Sequence, residues 1–277
     1  MILSPHFDDA VLSCWTVLQE GPATVVNVFA EPPPPGVEPS AWDRTTGARD
    51  ACEHALDRRR EDAEVLGALG AAQVNLPFRS GDYRPREQDT GPLLKAIRPH
   101  VAGARAVFAP AGIGRHPEHF AVRAAAVALH ERGTPVILYA ELPYCCHYGW
   151  PHWVTGEEPE RHLDLVYDWE RSLRRGEVSL AAESARTTSL SREEQERKLA
   201  AVQGYRTQWP GMARLLSHDD ALGYELFWPL DPVSPSRLRS IRQEVLWRAG
   251  ARRGSRLDLV LRRPALRRLR AFASGRL

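Results

Sequence analysis

The sequence predicts an α/β protein: a Rossmann-like three-layer α/β/α sandwich with a mostly parallel sheet, an irregular C-terminal part and a basic helical tail. Three observations carry this. Over roughly the first 140 residues, short β-branched apolar runs alternate with longer stretches whose apolar positions recur every three or four residues. Strands alternating with helices imply βαβ units joined by right-handed crossovers. The chain has 277 residues, 43% of them hydrophobic and 26% charged, which suffices to bury one full core.

The elements follow in order. Ile2 and Leu3 end a first strand. Residues 8–19 carry Val11, Leu12, Trp15 and Leu18 on one helical face. Residues 23–30, ATVVNVFA, read as a strand covered on both sides. Residues 31–40 contain four consecutive prolines, which only a loop accepts. Residues 46–69 form a helix closed by Gly70, and 74–77 a short strand. A helix over 91–100, a strand over 106–109, an alanine-rich helix over 119–132 stopped by Gly133, and a strand over 136–140 complete the regular part. Beyond residue 145 the pattern breaks down, apart from a serine-capped helix over 191–205 and an aromatic strand over 224–230.

Composition excludes several classes. No stretch reaches the roughly 18 apolar residues of a membrane span, and the N-terminal residues lack the basic and apolar regions of a signal peptide. A cytoplasmic location is expected. Four cysteines do not make a disulfide framework in a chain of this size, so all are expected to be reduced. Residues 233–277 hold thirteen arginines against Glu244 and Asp258, about +11, so with a total of +2 the first 232 residues carry about −9. Two domains are expected on this basis: 1–232, and an arginine-rich helical extension over 233–277. Packing of the tail on the acidic body is favoured over membrane-surface contact. No nucleic-acid partner is expected, because no nucleic-acid-binding motif accompanies the charge.

Two clusters carry chemistry. Ser4-Pro5-His6-Phe7-Asp8-Asp9 stands where the first strand meets a helix, outside the carboxyl end of a strand where α/β proteins place ligands. Two adjacent carboxylates repel each other, and a cation offsets that cost. Gly114-Arg115-His116-Pro117-Glu118-His119 occupies the same kind of junction after the strand over 106–109. If those strands are close neighbours, His6, Asp9 and His119 can meet as two imidazoles and a carboxylate, a common catalytic zinc set. Alone, each histidine reads as a surface or capping residue and each aspartate as an N-cap. A phosphate-gripping turn is excluded, since Pro5 to Asp9 contains no glycine and two acids. His147 and His152 lack ligand spacing for a second ion.

Residues 4–14, Ser-Pro-His-Phe-Asp-Asp-Ala-Val-Leu-Ser-Cys, resemble the His-Pro-Asp-Asp opening motif of the PIG-L/LmbE-like deacetylases. His116-Pro117-Glu118-His119 resembles their second motif, His-Pro-Asp-His, and residues 139–144, YAELPY, a third. The likeness covers about residues 1–230 and implies a zinc hydrolase that removes acetyl from N-acetylglucosaminyl conjugates. It implies one Zn2+ on His6, Asp9 and His119, Asp8 as general base, and His116, if protonated, as the group facing the oxyanion. Phe7 replaces the usual proline. Glu118 replaces the usual aspartate that orients His116. Candidates for substrate binding are Arg44, Arg79, Asp82 and Arg84 on strand-end loops. Two other readings of the sequence are an amidase acting on another N-acyl or sugar-conjugate amide, and a non-enzymatic binding protein led by the basic tail.

Overall fold

In a computed structural model of the chain, the described residues are 1–84, 91–147, 149–156, 165–174, 178–216 and 220–231. The arginine-rich extension lies outside them, and so does Tyr148. Among the described residues, seven strands form one sheet: β1 (Ile2–Ser4), β2 (Thr24–Asn27), β3 (Ala72–Asn75), β4 (Val107–Pro110), β5 (Val136–Tyr139), β6 (Arg186–Ser189) and β7 (Tyr224–Pro229). Their order is β3-β2-β1-β4-β5-β7-β6. The first five strands run parallel, while β7 pairs antiparallel with β5, and β6 with β7. The mostly parallel α/β sandwich expected from the alternation is the observed architecture.

Ten helices accompany the sheet among the described residues. They are α1 (Asp9–Ser13), α2 (Trp15–Gln19), α3 (Ala41–Thr45), α4 (Ala51–Ala68) and α5 (Gly91–Val101). The remainder are α6 (Pro117–His130), α7 (His152–Thr155), α8 (Leu165–Leu173), α9 (Arg192–Gln203) and α10 (Trp209–Leu215). The helix expected over 8–19 is broken at Cys14 into α1 and α2. The helix expected from residue 46 begins instead at Ala51. Gly47 takes a left-handed φ of 93°, and Asp50 caps the helix by accepting the Glu53 N–H at 2.8 Å.

The fold's use for chemistry lies in the sheet order. β1 stands between β2 and β4: the chain runs from β1 through β2 to β3 on one side and then crosses back to β4 on the other, which opens a crevice at the carboxyl ends of β1 and β4. β1 and β4 are hydrogen-bonded neighbours, with Ile2 facing Phe108. The chain leaving β1 and the start of α6 therefore arrive at one place. Tyr139 helps hold this frame, donating its hydroxyl to the Leu3 carbonyl across the sheet at 2.9 Å.

The C-terminal part is tied in by a buried ion pair. Lys198 Nζ on α9 meets Glu225 Oε1 on β7 at 2.8 Å, both side chains fully buried. Glu225 also accepts the Trp15 N–H at 2.6 Å, the Thr16 N–H at 3.0 Å and the Thr16 hydroxyl at 2.6 Å. This carboxylate satisfies the first amides of α2, a need that α2 cannot meet within itself.

Candidate metal centre

Ser4 shapes the turn after β1. Its hydroxyl donates to the His6 carbonyl at 2.6 Å and accepts the Ala10 N–H at 3.0 Å, so the chain enters α1 with residues 6–9 folded tightly. Asp9 Oδ2 accepts the His6 N–H at 2.8 Å. The same oxygen lies 3.1 Å from His6 Nδ1 and 3.3 Å from His119 Nε2. Those two nitrogens are 3.4 Å apart. Three potential ligand atoms thus form a near-equilateral triangle.

Triangle and metal can be compared directly. A tetrahedral zinc with bonds of about 2.0–2.1 Å sets its ligand atoms about 3.3–3.4 Å apart. The measured edges of 3.1, 3.3 and 3.4 Å fit that separation. Asp9 and His119 are almost wholly buried, while His6 retains 14% exposure, leaving one side of the triangle approachable. His116 adds a third imidazole, its ring 4.9 Å from that of His6 and 5.0 Å from that of His119. Nitrogens of His6, His116 and His119 fall within 4.8 Å of one another. The wider grouping includes the nitrogens of His116, but the tighter one includes Asp9, and its edges match the bond lengths.

Each imidazole in the triangle turns its second nitrogen to a carboxylate. His6 Nε2 meets Glu118 Oε2 at 2.6 Å, and His119 Nδ1 meets Glu141 Oε1 at 3.3 Å. Such partners fix ring orientation and tautomer in metal sites. Glu118 also accepts the Gly81 N–H at 2.6 Å, and Arg84 approaches it at 3.4 Å. Glu141 accepts the amides of Gly112 and Ile113 as well.

The charges respond to this packing. Burial disfavours the His6 imidazolium, but hydrogen bonds to Asp9 and Glu118 outweigh it and raise the group to about 9. His119 is likewise opposed by burial, yet Asp9 and Glu141 raise it to about 10. Asp9 is driven well below the usual carboxylate range, since its two histidine neighbours overcome desolvation. A carboxylate with two imidazoles that hold protons this strongly favours positive charge, and a metal bound there would displace those protons. Asp8 behaves differently. Burial and the neighbouring Asp9 charge raise its pKa, and its side chain makes no capping bond to α1.

The surroundings of Glu118 and His116 differ from those of the other two histidines. Glu118 does not orient His116: its carboxylate is taken up by His6, Gly81 and Arg84, and His116 Nδ1 is buried without a hydrogen-bond partner. The His116 imidazole is also a weakened base. Burial first, then the positive charges of His6 and His119, push it down to about 3. As a neutral ring it keeps a single N–H to offer.

The substrate candidates scatter. Arg44 donates to the Pro39 carbonyl, and Arg79 Nε to the Pro32 carbonyl at 3.2 Å, so both brace the proline-rich loop. Asp82 sits in an exposed 3-10 turn, Gly81–Tyr83. Arg84 alone of the four contacts a metal-site carboxylate, and its guanidinium lies 4.8 Å over the Phe29 ring. The cleft beside His6 is instead lined by Arg58, Asp43 and Tyr83, among others. Tyr144 places its ring 5.2 Å from His119 and 5.7 Å from His116. Sequence reasoning assigned no part to Glu141 or Arg58. Glu141 was detectable as a carboxylate two residues beyond the end of β5, on the edge where the other ligands gather.

Fold and cluster together define an α/β sandwich with a histidine–carboxylate centre at its topological switch point. No family model matches the chain. It is similar to the 2'-N-acetylparomamine deacetylase of Streptomyces fradiae, 30% identical over 169 residues, covering 52% of this chain and 57% of that protein. The enzyme of the same name from Niallia circulans is 26% identical over 183 residues, covering 52% of this chain and 66% of that protein. The matched segment therefore spans less than two thirds of these curated relatives. Among solved structures, the zinc-inhibited form of teicoplanin deacetylase superposes with a TM-score of 0.62 at 28% identity, covering 84% of this chain and 98% of that one. These two relatives and this solved structure are deacetylases, and the solved structure shares the α/β fold seen here.

Proposed function

We propose that this chain is a zinc-dependent N-deacetylase of the PIG-L/LmbE-like kind. Its substrate would be an N-acetylglucosamine-type amino sugar or its conjugate, in small-molecule or natural-product biosynthesis. The observation that carries the reading is the triangle of His6 Nδ1, Asp9 Oδ2 and His119 Nε2, whose edges suit a tetrahedral zinc. The deacetylase relatives support the reaction. Residues 1–232 would form the catalytic domain and 233–277 a peripheral extension.

In this reading His6, Asp9 and His119 hold the ion, and Glu118 and Glu141 keep the two imidazoles turned toward it. Bound zinc supplies Lewis acidity and lowers the pKa of water toward about 7. The chain's own groups move the protons. Asp8 lies next to a ligand but keeps its carboxylate out of the triangle and out of helix capping, so it can accept a proton from water and return it to the departing amine. Burial strengthens it as a base. His116, neutral, offers an N–H toward the acyl oxygen as that oxygen gains negative charge. Arg58 lines the cleft beside His6 and offers donors to sugar hydroxyls.

The test is acetate release from a panel of N-acetyl amino sugars and their conjugates, with zinc measured on the same sample. One zinc per chain with acetate release from at least one substrate is expected. One zinc per chain with release only from longer N-acyl or other amides would replace the deacetylase reading with a broader amidase. Absence of zinc in a folded, active sample would overturn it.

A further inference from the structure

The cleft beside His6 is nearly shut. Its volume is about 40 Å³. A water takes roughly 10–15 Å³ of such space, so the cleft holds a few waters and no sugar ring. If Arg58 in that cleft is to meet sugar hydroxyls, one wall has to move. Asp43 on α3 belongs to the wall, together with His54 and Tyr83. α3 lies between Gly36 and Gly47, whose left-handed φ values of 80° and 93° mark turns with open space where a side chain would stand. Among the described residues, the backbone–backbone hydrogen bonds of 36–47 all stay within residues 34–48. No ladder ties this segment to the rest of the fold.

Side chains hold it down instead. On one side the Tyr83 hydroxyl accepts the Ser40 N–H at 2.7 Å and donates to the Asp43 carboxylate. On the other, Trp42 Nε1 donates to Gln208 Oε1 at 2.7 Å. Gln208 stands just before α10, is 2% exposed, and makes no side-chain cap to its own helix. An indole only donates, so it fixes the amide oxygen of Gln208 toward Trp42. The amide nitrogen then lies 3.2 Å from His54 Nε2, which is also 3.3 Å from the Thr46 hydroxyl. α10 leaves room for the indole, since a Cβ on Gly211 would fall 2.6 Å from Trp42 Cη2. A segment with glycine turns at both ends, fastened by a few side chains, opens as a unit at low cost. We infer that residues 36–47 form a lid over the cleft beside His6, turning on Gly36 and Gly47, and that Gln208 is its catch. The inference rests on the deacetylase reading for what enters the cleft. It adds that the closed form excludes the sugar, which is admitted when Trp42 leaves Gln208.

Hydrogen–deuterium exchange and acetate release on the zinc-loaded chain compare the parent with two variants. Gln208→Ala removes the catch, and Trp42→Phe, at a surface position, removes only the indole N–H and guards against general unfolding. Loss of one hydrogen bond shifts an equilibrium about two- to tenfold. Amides of residues 36–47 should therefore exchange at least about threefold faster in both variants, with those of 107–110 unchanged. With the methyl glycoside of N-acetylglucosamine as substrate, KM should fall by a similar factor at unchanged kcat, because apparent affinity scales with the population able to bind. A merely structural role for Gln208 would do the reverse, raising KM or lowering kcat. Exchange equal to the parent's in both variants would overturn the lid. Faster exchange with a raised KM would overturn it too, since the closed form would then be the one that binds. No acetate from the parent would count against the deacetylase reading, and the exchange rates alone would decide the lid.

Discussion

Replacing Glu141 by glutamine tests whether carboxylates behind the imidazoles matter to the ion. Glu141 is fully buried and accepts from three groups: the amides of Gly112 and Ile113, the latter at 3.1 Å, and His119 Nδ1 at 3.3 Å. Glutamine keeps the shape but turns one acceptor into a donor, so at least one of these contacts is lost and the charge with it. A hydrogen bond to a charged group contributes about 1.5–3 kcal/mol. Loss of such an outer partner typically lowers metal affinity about 10–100-fold, or about 1.4–2.8 kcal/mol at 1.4 kcal/mol per tenfold. The two routes agree. Zinc affinity, measured by competition with a chromophoric chelator at constant pH, should therefore fall 10–100-fold in Glu141→Gln with the circular dichroism unchanged. Glu118→Gln should show a comparable loss through His6. Affinity within twofold of the parent in Glu141→Gln would refute the idea that this carboxylate sets the His119 ring.

Other expectations concern packing and charge. Lys198→Met leaves Glu225 buried without its cation, and should cost about 3–5 kcal/mol in urea unfolding; a loss below about 1 kcal/mol would mean that the three donors from α2 suffice. Gly114→Ala drives a methyl into Tyr144, so it should cost about 1–3 kcal/mol of stability and lower kcat/KM at least tenfold with zinc content kept. Retained full activity would show that Tyr144 need not stand where it does. Asp62 is pushed up to about 7 by burial, against hydrogen bonds from Gln73, Tyr205 and Asn27 that favour its charged form. Its folded pKa exceeds its unfolded value, so the folded chain binds the extra proton between about pH 4 and 7. The stability this contributes, on the order of 4 kcal/mol, is complete below about pH 4 and lost as pH rises through about 7. Asp62→Asn should flatten that part of the pH–stability curve, and an unchanged slope would remove Asp62 as its source.

Much of this architecture was legible in the residues. The runs 23–30, 106–109 and 136–140 are apolar and β-branched because parallel strands are buried on both faces, and each lies in or overlaps a strand. The site's location followed from topology, since two polar clusters after two strands can meet only if those strands adjoin, as β1 and β4 do. Strand β6 escaped notice because Arg-Thr-Thr-Ser is a short polar edge with no apolar alternation. The Glu118 partner was beyond sequence reasoning for a different reason. Glu118 and the two histidines flanking it are near neighbours in the chain, and only side-chain direction in the first turn of α6 decides that it faces His6, not His116. Arg44 and Arg79 each donate to a backbone carbonyl, an occupation that composition does not reveal.

Zinc content of two neighbouring aspartate variants bears most directly on the site. Asp9 contributes a corner atom of the triangle at 3.1 and 3.3 Å, whereas Asp8 is the proposed base. After purification and dialysis against buffered zinc, Asp8→Ala should hold one ion per chain and release no acetate, while Asp9→Ala should hold none. Equal zinc in both variants, or zinc lost from Asp8→Ala alone, would contradict the assignment of ligand and base.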